Sequence, residues 1–146
     1  MIYIVKSLFN KDITDGLLGG CVTAMKEKGI DINTQIKEVP GAFDIPGAVS
    51  RIIKKDEVEL VITLGCVIKG DTDHYHYICD AVSNGIMKLT IETEIPILFG
   101  VLTCQNKELA LNRSGSIMNE NKGYELGIMA YELLSKGSIK GGFTKA

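Results

Sequence analysis

Val58-Glu-Leu-Val-Ile-Thr-Leu64 is followed by Gly65-Cys-Val-Ile-Lys-Gly-Asp-Thr-Asp-His74, and further on by Pro96-Ile-Leu-Phe-Gly-Val-Leu102. The first and last of these segments are almost wholly apolar, as strands are when both faces of a parallel sheet are covered. Between them Ile78, Val82, Ile86 and Leu89 recur at helical spacing, and residues 65–74 read as a glycine-rich loop. A strand, a loop, a helix and a second strand in this order form a right-handed crossover unit.

Working outward, the same alternation continues on both sides. Ile2–Lys6 is a short β-branched and aromatic run. Ile13, Leu17, Cys21 and Met25 then recur every fourth residue, widened by Leu18 and Val22, and predict a helix ended by Gly29. Gln35–Val39 reads as a strand halted by Pro40-Gly41, and Ile45, Ala48, Val49, Ile52 and Ile53 trace one helical face. Residues 105–114 read as a helix, and Leu126, Met129, Ala130, Leu133 and Leu134 mark the last one. The expected fold is α/β: a three-layer α/β/α sandwich on a four-stranded parallel sheet, flavodoxin-like. The sequence shows no internal repeat, so residues 1–146 are expected to form one domain, with 137–146 as a frayed tail.

Composition narrows the function. The chain has 146 residues, 45% of them hydrophobic and 23% charged, which excludes a disordered polymer. With 16 basic and 18 acidic residues, it lacks the positive excess that tracks a phosphate backbone, so no nucleic-acid partner is expected. No apolar run is long enough to span a bilayer, so no membrane partner is expected either. The start Met-Ile-Tyr-Ile-Val-Lys has no basic leader or cleavage site, and Cys21, Cys66, Cys79 and Cys104 are scattered. Buried free thiols and a cytoplasmic location are the expectation.

In an open parallel sheet, ligands bind beyond the carboxyl ends of the strands. Four turns are expected on that rim: Phe9-Asn10, Gly41-Ala42-Phe43-Asp44, Cys66 to His74, and Thr103-Cys104. Gly70 allows close backbone approach and Thr72 adds a hydroxyl, while the amides opening the next helix favour an anion. The plain alternative is a glycine turn with Asp73 as a helix cap. A histidine at a loop–helix junction suits proton transfer, which favours His74; His76, deeper in the helix, reads as a surface or packing residue. The two cannot share a metal well, because i and i+2 on a helix point apart, and no metal is expected. Phe9 and Phe43 are oddly placed for core aromatics and could stack on a planar ring. Asp44 could accept from a polyol or cap the following helix. Arg113 and Lys122 are either solvated charges or a phosphate clamp. Neither lies on a strand-end turn, so a clamp would have to come from a neighbouring subunit.

Taken together, Phe9-Asn10, VPGAFDIPGA (39–48), LGCVIKGDTDHYHYIC (64–79), SNGI (83–86), PILFGVLT (96–103) and Arg113…Asn121-Lys122-Gly123 resemble the 6,7-dimethyl-8-ribityllumazine synthase family. The resemblance covers roughly residues 2–135, in order. It implies condensation of 5-amino-6-(D-ribitylamino)uracil with 3,4-dihydroxy-2-butanone 4-phosphate in riboflavin biosynthesis, with no metal or organic cofactor. It implies that Phe9 stacks on the pyrimidine and that Ala42, Phe43 and Asp44 hold the ring and ribityl chain. Val67 and Ile68 would give backbone contacts, Lys69 would lie beside them, and Gly70, Asp71 and Thr72 would form the phosphate loop. His74 would be the catalytic proton-transfer group. From an adjacent subunit, Phe99 would cover the ring, Arg113 would bind the phosphate and Lys122 would lie nearby.

Three departures stand out. Asp44 replaces the usual Glu, Arg113 and Lys122 are nine residues apart where the family commonly has eight, and only Met1 precedes Ile2. A homopentamer is expected, with a sixty-subunit icosahedral capsid left open. The rival readings are an archaeal-type riboflavin synthase, a non-catalytic flavin- or phosphosugar-binding module, and a cage scaffold on the same fold. The GDTDH loop and Arg113 argue against the first, because dismutation of two lumazines handles no phosphate.

Overall fold

The computed structural model describes residues 1–30 and 33–136. Its elements are β1 (Ile2–Ser7), α1 (Lys11–Glu27), β2 (Thr34–Val39), α2 (Ile45–Ile52), β3 (Leu60–Ile68), α3 (His74–Glu92), β4 (Ile97–Cys104), α4 (Lys107–Asn112) and α5 (Lys122–Ser135). Short 3-10 turns occupy Ala42–Asp44 and Met118–Glu120. The four strands are all parallel in the order β2-β1-β3-β4.

The two-residue period of each strand divides the core in two. Ile2 and Ile4 of β1 and Leu60, Ile62 and Leu64 of β3 enter one cluster with Ile13, Leu17 and Cys21 of α1, Ala110 of α4, and Leu126, Ala130 and Leu133 of α5. Tyr3, Val5, Val61 and Val101 enter the other, with Ile45, Val49 and Ile52 of α2 and Val82 and Ile86 of α3. Helices therefore cover both faces, which makes the α/β/α layering. Each large aliphatic side chain so buried stabilises the fold by about 1.5–3 kcal/mol. Lys6 also lies in the interior at 2% exposure, where its ammonium pairs with Asp15 of α1 and, at 3.3 Å, with Glu38 of β2.

Helix limits follow local chemistry. Gly29, just past α1, has φ +67°, a left-handed turn that glycine adopts without a Cβ penalty. Asn106 caps α4 by accepting the Leu109 N–H at 3.0 Å. That cap shortens the helix expected over 105–114 to Lys107–Asn112.

The largest correction concerns the loop. Gly65–Ile68, expected to be irregular, continue β3, because they pair with Val101–Cys104 of β4. Thr103 and Cys104 accordingly end a strand instead of forming a turn, and the true loop is residues 69–73. The tail expected to fray, 137–146, lies outside the described residues.

Candidate active site

The carboxyl end of the sheet carries a cavity of about 400 Å³. The β1–α1 turn contributes Phe9 and Asn10, and the β2–α2 turn contributes Gly41, Ala42 and Phe43. The end of β3 supplies Cys66, Val67 and Ile68, the loop supplies Gly70 and Thr72, and α3 supplies His74, Tyr75 and Ile78. Segments sixty residues apart in the chain meet here because parallel strands all point their carboxyl ends the same way.

Each wall has a local cause. Asn10 takes left-handed backbone angles (φ 59°, ψ 50°), which turns the chain sharply from β1 into α1. Its amide Nδ2 then donates to the Cys66 carbonyl at 3.1 Å, fastening this turn to β3. Asp44 stands at the N-cap of α2, but its carboxylate turns back and accepts the Gly41 N–H at 2.9 Å, closing the second turn. Asp73 precedes α3 without a side-chain cap, while the Thr72 hydroxyl accepts the His74 N–H at 3.2 Å. The capping roles considered for Asp44 and Asp73 are thus not taken up at their own helices.

Backbone also faces the cavity. The β1–β3 ladder stops at the Lys6–Leu64 pair, whereas β3–β4 pairing continues to Ile68–Cys104. β3 therefore runs on past the β1 ladder, and its last residues, Cys66, Val67 and Ile68, line the cavity. Main-chain groups placed this way can recognise the edge of a planar heterocycle.

Phe9 is 70% exposed and Phe43 is 61% exposed, so neither ring serves the core. Three titratable side chains line the cavity: Cys66, His74 and Tyr75. Burial, assisted by Cys104, pushes the Cys66 thiol up to about 12, which leaves it protonated and poorly nucleophilic. Burial, with neighbouring Cys79, also raises Tyr75. His74 is the one imidazole in the lining. His74 opens α3 and is exposed, as the sequence indicated; His76 is exposed too, edge-on to the Tyr75 ring at 5.2 Å.

Eight residues singled out from sequence therefore line one cavity: Phe9, Ala42, Phe43, Val67, Ile68, Gly70, Thr72 and His74. Asp44, Lys69, Asp71 and Phe99 lie outside its lining, with Phe99 40% exposed on edge strand β4. Arg113 and Lys122 line a second cleft of about 350 Å³ with Asn119, Glu120, Asn121 and Glu125. They are adjacent despite their nine-residue separation, because the Lys122 N–H donates to the Arg113 carbonyl at 2.8 Å. Lys122 is also paired with Glu125 at 2.9 Å on its own helix. Asn10, Gly41 and Cys66 also line the cavity, in turns the sequence placed on the rim, whereas Tyr75 and Ile78 were missed as lining residues. Tyr75 and Ile78 could have been found from the helical spacing His74, Tyr75, Ile78, which keeps them on one side of the first turn of α3. Cys79, expected to be buried, is half-buried.

A family model for 6,7-dimethyl-8-ribityllumazine synthase matches residues 1–137. The chain belongs to that family. This lumazine synthase family member is a transferase of riboflavin biosynthesis, acting on small-molecule substrates in a family characterised by oligomeric assembly. Among its described residues, no helix is long and apolar enough to cross a membrane. No group of three His, Cys, Asp or Glu among them could hold a metal ion.

Proposed function

We propose that the cavity beyond the sheet is where 5-amino-6-(D-ribitylamino)uracil meets 3,4-dihydroxy-2-butanone 4-phosphate. In this reading Phe9 stacks on the pyrimidine, and the overhanging backbone of Val67 and Ile68 reads its edge beside Lys69. Ala42, Phe43 and Asp44 hold the ring and ribityl chain. Gly70, Asp71 and Thr72, with the opening amides of α3, receive the phosphate. The reaction joins an amine to a ketone, expels phosphate and closes a ring with a second amine, releasing water. These steps need proton transfer and positioning more than covalent help, so His74 is assigned the proton transfers.

The observation that carries the reading is convergence. Two exposed rim aromatics, the projecting end of β3, a hydroxyl-bearing glycine loop and one imidazole line the same cavity. Arg113 and Lys122 occupy a separate cleft of the chain, which supports their delivery by an adjacent subunit, as does Phe99 on the open edge of the sheet. The proposed assembly is a homopentamer with active sites between subunits. The four free thiols fit a reducing, cytoplasmic setting.

The test is steady-state kinetics, following lumazine absorbance and phosphate release. His74→Ala should lower kcat about a hundredfold or more at neutral pH. Arg113→Ala should raise the KM for the phosphorylated ketone about tenfold or more, with little change for the pyrimidine. Full turnover by His74→Ala, or equal KM effects in Arg113→Ala, would refute the assigned roles.

A further inference from the structure

Asn121 is enclosed at 2% exposure, yet both polar atoms of its side chain are engaged. Its Oδ1 accepts the Tyr124 N–H at 3.0 Å and caps α5. Its Nδ2 donates to the Gly115 carbonyl at 2.9 Å and to the Gly16 carbonyl at 3.2 Å. One amide thus joins α1, the turn after α4 and the start of α5. The space exists because Gly20 has no side chain; a Cβ there would lie 2.2 Å from Oδ1.

Capping alone does not explain this residue, since Ser, Thr and Asp cap a helix comparably. What a carboxamide adds is a pair of donors for two carbonyls beside one acceptor for the helix. One of those bonds acts beside the basic cleft, and the other anchors it to α1. Gly115 lies two residues past Arg113, and Lys122 follows Asn121 directly and closes the loop onto the Arg113 carbonyl.

We infer that Asn121 is a positioning residue for the phosphate grip, holding Arg113 in the register a phosphorylated substrate needs. The inference rests on the proposed role of Arg113 as phosphate ligand. It acts through the loop, without contact between Asn121 and substrate.

Two variants test it. Asn121→Ser keeps a cap but withdraws both donors from the carbonyls, and Gly20→Ala leaves Asn121 present while displacing its amide. Both are measured with each substrate varied, beside Arg113→Ala and the double variant Arg113→Ala/Asn121→Ser. Asn121→Ser should raise the KM for the phosphorylated ketone about tenfold, while the pyrimidine KM stays within about twofold. The double variant should be no worse than Arg113→Ala alone, because both changes act through one guanidinium. Gly20→Ala should move the same KM in the same direction, and decides the matter if Asn121→Ser does not fold. A lowered melting temperature with both KM values unchanged would make the amide a helix staple only and overturn the inference. So would additive effects in the double variant. An unchanged phosphate KM in Arg113→Ala would instead bring down the phosphate reading itself.

Discussion

Cys66 lines the cavity, yet burial pushes its thiol up to about 12, and burial does the same to Cys21 on the core face of α1. Both are held protonated across the physiological range, so proximity to substrate does not make Cys66 a nucleophile. The linkage has a definite sign. An unfolded thiol ionises near ~8.5, so below that pH neither state loses a proton; above it, unfolding releases protons and stability falls as pH climbs toward the folded values. Cys79 is only half-buried and is raised by the same cause. A thiol reagent applied to the folded protein at pH 8 should therefore label Cys79 first, and Cys66 and Cys21 only on unfolding, as read by mass-mapped time courses. Labelling of Cys66 at the rate of Cys79 would show that the cavity wall opens. The four sulfur positions were plain in the sequence. Their differing exposure was not, because α3 presents Cys79 on the margin of the face that buries Val82 and Ile86.

Between elements, α1 and α5 form the most extensive helix–helix contact among the described residues, and glycine permits it. A Cβ on Gly123 would sit 1.8 Å from the Leu17 carbonyl, and one on Gly127 would sit 2.7 Å from the Cys21 carbonyl. These obstacles are backbone and cannot step aside as a flexible side chain would. Gly123→Ala should thus destabilise the protein by roughly 3 kcal/mol or more, seen as a lower urea midpoint at unchanged slope. Gly19, also in α1, meets nothing within 4 Å. There the same substitution should stabilise by about 0.5–1 kcal/mol through the helix preference alone. Equal effects at the two positions would mean that the α1–α5 distance is not set by glycine. The apolar stripe Ile13, Leu17, Cys21, Met25 announced α1 correctly, but periodicity says which face is buried, not how near the partner backbone comes.

At the scale of the assembled protein, the proposed site needs two chains. That predicts complementation between impaired partners, assayed with the phosphorylated ketone well below the KM of Arg113→Ala. Co-expressed His74→Ala and Arg113→Ala subunits, mixed equally, should regain activity in about a quarter of their sites, where a chain with its imidazole neighbours one with its guanidinium. No recovery in a verified mixed oligomer would place the whole site within one chain. The exposed apolar side chains Tyr77, Met87, Ile91 and Phe99 are of the kind that an interface covers. By itself, the sequence determined the order of strands and helices, the layering, and the rim on which Phe9, Phe43, Gly70, Thr72 and His74 would meet. It could do so because hydrophobic period and strand direction are local properties that parallel topology converts into one shared edge. Tertiary structure decided what depends on pairing across the chain. It carried β3 on through Ile68 because β4 was there to bond it, and it fastened Asn121, beside Lys122, to the Gly16 carbonyl of α1. Such choices rest on partners far away in sequence, and only the folded chain brings those partners within a hydrogen bond of each other.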